Sequence, residues 1–395
     1  MTSIEQLGPR LYPRLAVLAI GLFVVGTNAF MIAGLLPSIA ATLGVHANDV
    51  SYSITLYSII VAVLAPAISI VFPRLSRTTL MAAGLALVAI GTVVAAAAPG
   101  LALFMVGRVV AAVGGAALVP AATAAAASLA SPQRRGRAIA FVAVGFTAAT
   151  AFGAPLGTAI ADVANWRVPL FALAVIAALT AGAIALFVRH IPLGAAVSLA
   201  RRFAILADPR ILLALVSTLL VLCGFNVVYI FSSTVTAQAT GGSGSLLAVL
   251  LLVFGVAGIL GNLVAGPLTD RCGSRIAALV FLGSQVVLLA ILPAFATSFV
   301  GTAILFGFWG VAANASALPI QHRLIEIDPA SSGLALSWYS TAMYAGIALA
   351  PPLGAVALGL GGAELVPVVG AAAVAVSLAV FLAATRLVPQ RRLAS

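Results

Sequence analysis

The chain has 395 residues, of which 63% are hydrophobic and only 7% charged, with mean hydropathy +1.25. A soluble domain carries about 25% charged residues, so a water-soluble globule of this length is excluded. All 19 basic residues are Arg, against eight carboxylates, giving net charge +11 and a pI near 11.2. In a soluble protein that balance would suggest nucleic acid. In a membrane protein it reads as positive residues retained on the cytoplasmic side, and no nucleic-acid partner is expected. Cys223 and Cys272 offer neither a disulfide framework nor metal-ligand spacing, so no metal or other cofactor is expected.

A bilayer-crossing helix takes roughly 20 apolar residues, and a helix with its loop about 33, which divides the chain into roughly twelve crossings. The first apolar run, Leu15–Pro37, exceeds the 7–15 residues of a signal peptide's apolar region and is read as an uncleaved first helix. Hydropathy places the next five spans at Val50–Phe72, Thr78–Ala98, Leu101–Ala127, Ala138–Asp162 and Val168–Val188. A second set of six lies at Ile211–Val235, Leu246–Leu268, Ile276–Phe295, Phe299–Gln321, Leu334–Leu358 and Val366–Thr385. The expected fold is therefore an all-α integral membrane protein with twelve transmembrane helices in two six-helix, pseudo-symmetric bundles. The bundles are expected at 1–188 and 211–395, joined by a cytoplasmic linker at 189–210.

With the N-terminus inside, every Arg falls at or near the inner side except Arg108, within span four, and Arg167, outside. That bias predicts cytoplasmic N- and C-termini. The linker contains Pro192 and Pro209, and Ala195–Ala207 reads either as a short amphipathic helix on the anionic leaflet or as a solvated connection. Weak internal symmetry supports two halves: PRLSR (Pro73–Arg77) after span two matches DRCGSR (Asp270–Arg275) after span eight. GAPLG (Gly153–Gly157) in span five is echoed by APPLG (Ala350–Gly354) in span eleven.

Four stretches carry a resemblance to a known family. They are FVVGTNAFMIAGLLPSIAATLGV (Phe23–Val45), GRVVAAVGGAALVP (Gly107–Pro120), GFTAATAFGAPLGT (Gly145–Thr158) and GPLTDRCGSR (Gly266–Arg275). Together the chain resembles the major facilitator superfamily, and within it the twelve-helix drug:proton antiporter group that includes arabinose-efflux-like permeases. The resemblance implies export by alternating access, with Arg108, Gly145, Gly153, Pro155, Gly157, Asp270 and Arg271 in coupling or gating. Physically, the three glycines allow close helix approach and Pro155 permits a bend. A guanidinium inside hydrocarbon costs at least a few kcal/mol, so Arg108 either faces the bundle interior with a partner or snorkels to the outer surface. The family often carries an acidic residue in span one where this chain has Ala29, and its stronger inner loop, after span two, here lacks the Asp.

The carboxylates are Glu5, Asp49, Asp162, Asp208, Asp270, Glu326, Asp328 and Glu364, and none falls at an expected midplane. The groups left there are neutral: Thr27, Asn28, Thr147, Thr150, Asn226, Tyr229, Trp309, Asn314, Tyr339 and Tyr344. On the superfamily fold, Asn28, Thr147, Thr150, Asn226, Tyr229, Asn314, Tyr339 and Tyr344 are expected to contact a drug- or sugar-like substrate. If protons drive export, Asp162, Glu326, His322 or Arg108 with a partner must couple them. With no Lys there is no Walker motif, and neither Gly-x-Ser-x-Gly nor His-Glu-x-x-His occurs, so no enzyme is expected. The chain is read as a monomeric inner-membrane exporter. A proton-independent facilitator, an importer of the same fold and a non-transporting sensor remain as alternatives.

Overall fold

The computed structural model describes residues 11–71, 75–131, 134–188, 191 and 199–387; side chains at 69–71 and 199–201 lie outside that description. The described residues contain helices and no strand. The first four crossings are α1 (Leu11–Leu43), α2 (Ala47–Val71), α3 (Arg77–Ala97) and α4 (Leu101–Leu129). They are followed by α5 (Arg135–Val163), α6 (Arg167–Phe187) and α7 (Pro209–Ile230).

Beyond α7, a continuous helical stretch runs Gly244–Ile291 and another Ser332–Arg386. A straight helix of 48 residues would measure about 70 Å, over twice the apolar thickness of a bilayer. Both stretches break at a glycine with positive φ, Gly273 at 79° and Gly362 at 67°, a conformation that other L-residues adopt only with strain. This separates α8 (244–272) from α9 (274–291) and α11 (332–360) from α12 (363–386). Between them lies α10 (Phe299–Ile327), interrupted at Ser316. The ten apolar stretches thus hold twelve crossings among the described residues.

Span seven is shorter than hydropathy implies: it ends at Ile230, and its expected last residues form the separate turn Ser232–Val235. Of the expected linker helix, 195–198 lie outside the described residues, as do Arg10, Arg74, Arg189, Arg391 and Arg392 of the orientation reading. The remainder is helical over Leu199–Ala204 and Ile205–Ala207. It is anchored to the bundles: Trp338 Nε1 donates to Arg202 O (2.9 Å), Arg202 Nη1 donates to Pro66 O (3.2 Å), and Phe203 meets Trp338 edge-on. Asp208 then caps α7, accepting from Arg210 N–H and from its guanidinium (2.8 Å), which holds its carboxyl below the usual carboxylate range.

Helices α1–α6 pack into one bundle and α7–α12 into the other, with α2 against α11 and α5 against α8 across the interface. Large apolar side chains point outward, among them Leu179 at 70% exposure and Leu360 at 78%. In water this surface would be unfavourable at roughly 25 cal/mol per Å2; against lipid it is not.

The glycines of span five form a seam with α1. A side chain added at Gly145 would run into the Ala19 backbone, one at Gly153 into Thr27, and one at Gly157 into Met31. The reverse fit also holds, since Gly26 faces Ala149 and Phe146, and Gly34 faces Thr158. Pro155 has no N–H, and the turn just before it opens into a π-helix, Ala149–Gly153, closed by Ala154 N–H to Ala149 O. In the second bundle Gly354 of the echoed motif faces the Phe231 ring just beyond α7. Gly145→Leu is expected to destabilise the protein by about 1–3 kcal/mol through overpacking, read as a lowered thermal midpoint of purified protein, whereas Gly182→Leu, which meets open space, leaves it unchanged.

Candidate functional site

Arg108 lies inside the first bundle with 1% of its surface exposed, so it does not snorkel. Its Nη1 donates to the Asn28 backbone carbonyl (2.9 Å) and to Asn28 Oδ1 (2.6 Å). Asn28 Nδ2 in turn donates to Thr92 Oγ1 (2.7 Å), which donates to Val88 O (2.6 Å). The guanidinium sits over the Tyr57 ring, 4.5 Å from its centroid. Four helices, α1 to α4, therefore hold one cation with a carbonyl, an amide and a π-face, each of which favours the charged form. Nε and Nη2 find no acceptor among the described residues.

The second bundle places aromatic rings where the first places this cation. Phe225 and Tyr229 of α7, Phe254 of α8, and Phe306 and Trp309 of α10 form a continuous cluster; Phe254 and Trp309 have centroids 4.7 Å apart. Phe30 of α1 joins it across the interface, edge-on to Tyr229 at 5.9 Å and to Phe146 at 5.6 Å.

Between the bundles lies a cavity of about 340 Å3. Its walls include Thr123 of α4, Thr147 and Thr150 of α5, Asn262 of α8, Asn314 and Gln321 of α10, and Tyr339 and Tyr344 of α11, with Phe30, Phe146, Phe225 and Phe254 at its deep end. Thr123, Gln321 and Tyr339 belong to the halves of α4, α10 and α11 nearest the Arg-rich loops, here called the basic face. Past Phe30 the space narrows to about 10 Å3, room for one oxygen-sized group, bounded by Ser58, Asn226, Tyr229 and Tyr344.

The opposite face is closed. The α5 backbone at Ala151 lies against Gly255 of α8, and Thr55 Oγ1 of α2 donates to Ala348 O of α11 (2.8 Å). At the surface, Asp162 accepts from Gly244 N–H (3.1 Å), Ser245 N–H (2.8 Å) and Ser245 Oγ–H (2.6 Å), so an ionised carboxylate from one bundle caps the first turn of α8 in the other.

Of the residues expected at a substrate site, Thr147, Thr150, Asn314, Tyr339 and Tyr344 line the main cavity, and Asn226 and Tyr229 line its constriction. Asn28 lines neither; it is committed to Arg108 and Thr92. Gly145, Gly153, Pro155 and Gly157 lie on the α1–α5 seam. Asp270 and Arg271 are exposed and make no side-chain bond among the described residues; the same loop is tied instead by Ser274 Oγ to Glu326 Oε2 (3.3 Å), with His322 Nδ1 3.2 Å from Glu326 Oε1. Sequence reading missed Thr123, Asn262 and the phenylalanine wall. Asn262 was findable as an amide four residues from Gly258, the glycine that makes room for Asn314.

Twelve crossings in two bundles around a central cavity define a polytopic membrane protein of the transporter class. Residues 18–235 and 213–394 both match the Major Facilitator Superfamily, and the chain belongs to it. The chain is 29% identical over 343 residues to the MFS-type transporter YbcL of Bacillus subtilis, covering 87% of this chain and 88% of that one. It is 28% identical over 380 residues to the inner membrane transport protein YdhP of Escherichia coli, covering 96% and 97%. Its fold matches the nucleoside transporter NupG (TM-score 0.77, 14% identity, 95% of this chain and 100% of that one). It also matches an inward-facing, occupied bacterial homologue of the lysosomal transporter Spinster (TM-score 0.73, 16% identity, 94% and 96%).

Asp162→Ala is expected to loosen the closed face. In a protein whose only cysteine replaces Ser58, a membrane-impermeant maleimide added from that side is expected to label several-fold faster when Asp162 is Ala; an unchanged rate would show that these three hydrogen bonds do not hold the closure.

Proposed function

We propose that the chain is an exporter of small amphiphilic molecules, of the drug:proton antiporter or arabinose-efflux-like kind. It sits as a monomer in the inner membrane with both termini cytoplasmic. The observation that carries this reading is the cavity of about 340 Å3, which is reached from the basic face and blind at the aromatic constriction. That volume falls in the range of small-molecule sites, roughly 300–1,000 Å3. The basic face is the cytoplasmic one by its arginines, so the state described accepts solute from inside.

Residues 1–188 and 211–395 act as the two moving bodies, with 189–210 as their tether. Thr147, Thr150, Asn226, Tyr229, Asn314, Tyr339 and Tyr344 contact the solute, while Asn28 acts indirectly by holding Arg108. The seam of Gly145, Gly153 and Gly157, with the bend at Pro155, lets the closed-face half of α5 swing away from α8. Asp162 must then leave Ser245. Asp270 and Arg271, unengaged here, are free to bind when the basic face closes.

The second reading is proton-independent facilitation, favoured by one observation: every described carboxylate lies at a helix end, and Arg108 is met by a neutral amide. Uptake of a labelled antibiotic and sugar panel into inside-out-oriented proteoliposomes decides between them. Antiport is expected to give solute movement that an imposed pH gradient accelerates several-fold and that Gly153→Leu abolishes without loss of membrane-inserted protein. Movement indifferent to the gradient would overturn antiport in favour of facilitation, and unimpaired movement in Gly153→Leu would remove the gating role of the seam.

A further inference from the structure

The interior of the first bundle carries an electrical imbalance. Among the described residues, Asp49, Asp162 and Glu364 lie at the ends of helices on the closed face, and Asp208, Asp270, Glu326 and Asp328 at the basic face. Arg108 is the one charged side chain buried between them, and its partners are neutral. A buried ion without a counter-charge is disfavoured by several kcal/mol, even after hydrogen bonding and relaxation.

The polar groups around it are unbalanced in the same sense. Arg108 Nε and Nη2, the hydroxyls of Tyr57, Tyr229 and Tyr344, and Trp309 Nε1 are buried and have no partner among the described residues. Arginine and tryptophan can only donate, and a tyrosine hydroxyl always has a proton to offer. Tyr57 lies under the guanidinium, Tyr344 is near enough to Tyr57 for the two to interact electrostatically, and Tyr344 and Tyr229 together bound the narrow end of the cavity. Donors therefore run from Arg108 to the wall of the constriction, and among the described residues no carboxylate lies between them and no charged side chain lines the cavity or its constriction.

We infer that the cavity selects a monoanionic solute with a flat, apolar or aromatic body. One oxygen of its acid group accepts from Tyr229 and Tyr344 at the constriction, its charge balances Arg108 through the intervening rings, and its body lies among Phe30, Phe146, Phe225 and Phe254. This inference rests on the cavity being the transport site, and it narrows the solute from amphiphilic to acidic. Cations of the same shape are repelled, and neutral analogues bind through the aromatic walls alone. Water at the constriction would satisfy the hydroxyls but leave the charge uncompensated.

Benzoate, benzamide and benzamidine share a ring and nearly a size while carrying negative, zero and positive charge near neutral pH. Their affinities for the purified full-length protein are measured by quenching of tryptophan fluorescence. Benzoate is expected to bind at least tenfold more tightly than benzamidine, with benzamide between. Asn28→Asp places a carboxylate oxygen where Oδ1 now lies 2.6 Å from Arg108 and neutralises it, so it is expected to bring the benzoate and benzamidine affinities together. Tyr344→Phe, which removes one donor and no charge, is expected to weaken benzoate more than benzamide. Benzamidine binding as tightly as benzoate, no binding of benzoate, or a preference untouched by Asn28→Asp would each overturn the inference. Benzamide binding without any charge preference would leave the cavity as a transport site and remove only the acidic solute, whereas failure of the export reading is seen independently in proteoliposomes.

Discussion

The fold of the first bundle is organised around one interaction, the Arg108 guanidinium held by both oxygens of Asn28. A charge at this depth is tolerated only if its surroundings replace most of what water supplied. Here the replacement is divided among three helices: the carbonyl and amide of α1, the aromatic face of α2, and Thr92 of α3, which fixes the amide's orientation. Each depends on the others, because an Asn28 side chain turned away from Arg108 would give up both its bond from the guanidinium and its own donation to Thr92. The interaction therefore sets the rotation of α1, α2 and α4 about their own axes. Asn28 is withdrawn from the cavity as a result, and the cavity keeps neutral walls.

The rest of the architecture is consistent with that fixed core. Alpha-helix 1 cannot shift relative to Arg108, so movement between the bundles must be taken up elsewhere. The α1–α5 seam suits this, being built from glycine notches that receive the facing helix and from a π-turn that already departs from regular helix. On the closed face the contacts differ in kind: three hydrogen bonds to Asp162 at the surface and an aromatic contact between Phe30 and Tyr229 beneath. The first is sensitive to water and salt, and the second to shape.

Much of this was legible in the amino acids. Hydropathy located the crossings because a bilayer demands long apolar runs, and Gly145, Gly153 and Gly157 marked a close approach because spacings of eight and four return to one helix face. What hydropathy could not supply was which helix met that face, since Ala19, Thr27 and Met31 lie more than a hundred residues away. The end of α7 was missed for a related reason: Phe231–Val235 (FSSTV) carries no charge, Gly or Pro to mark a stop, and the packing of Phe231 onto Gly354 shows the chain has turned. Among the site residues, Asn28 and Asn226 looked equivalent, as midplane amides in the first helix of each half. They differ because the first finds a cation within reach and the second finds only its own Leu222 carbonyl and a ring of aromatics.

The coupling between Asn28 and Arg108 is the most direct measure of this account. A double-mutant cycle of Asn28→Ala, Arg108→Met and the pair, followed by chemical unfolding in detergent, isolates it from the packing of either residue. Hydrogen bonds to a charged group contribute about 1.5–3 kcal/mol, so the paired substitution is expected to cost less than the sum of the singles by roughly that amount. Additivity within about 0.5 kcal/mol would contradict the account, because Asn28 would then not be what holds the cation in the membrane.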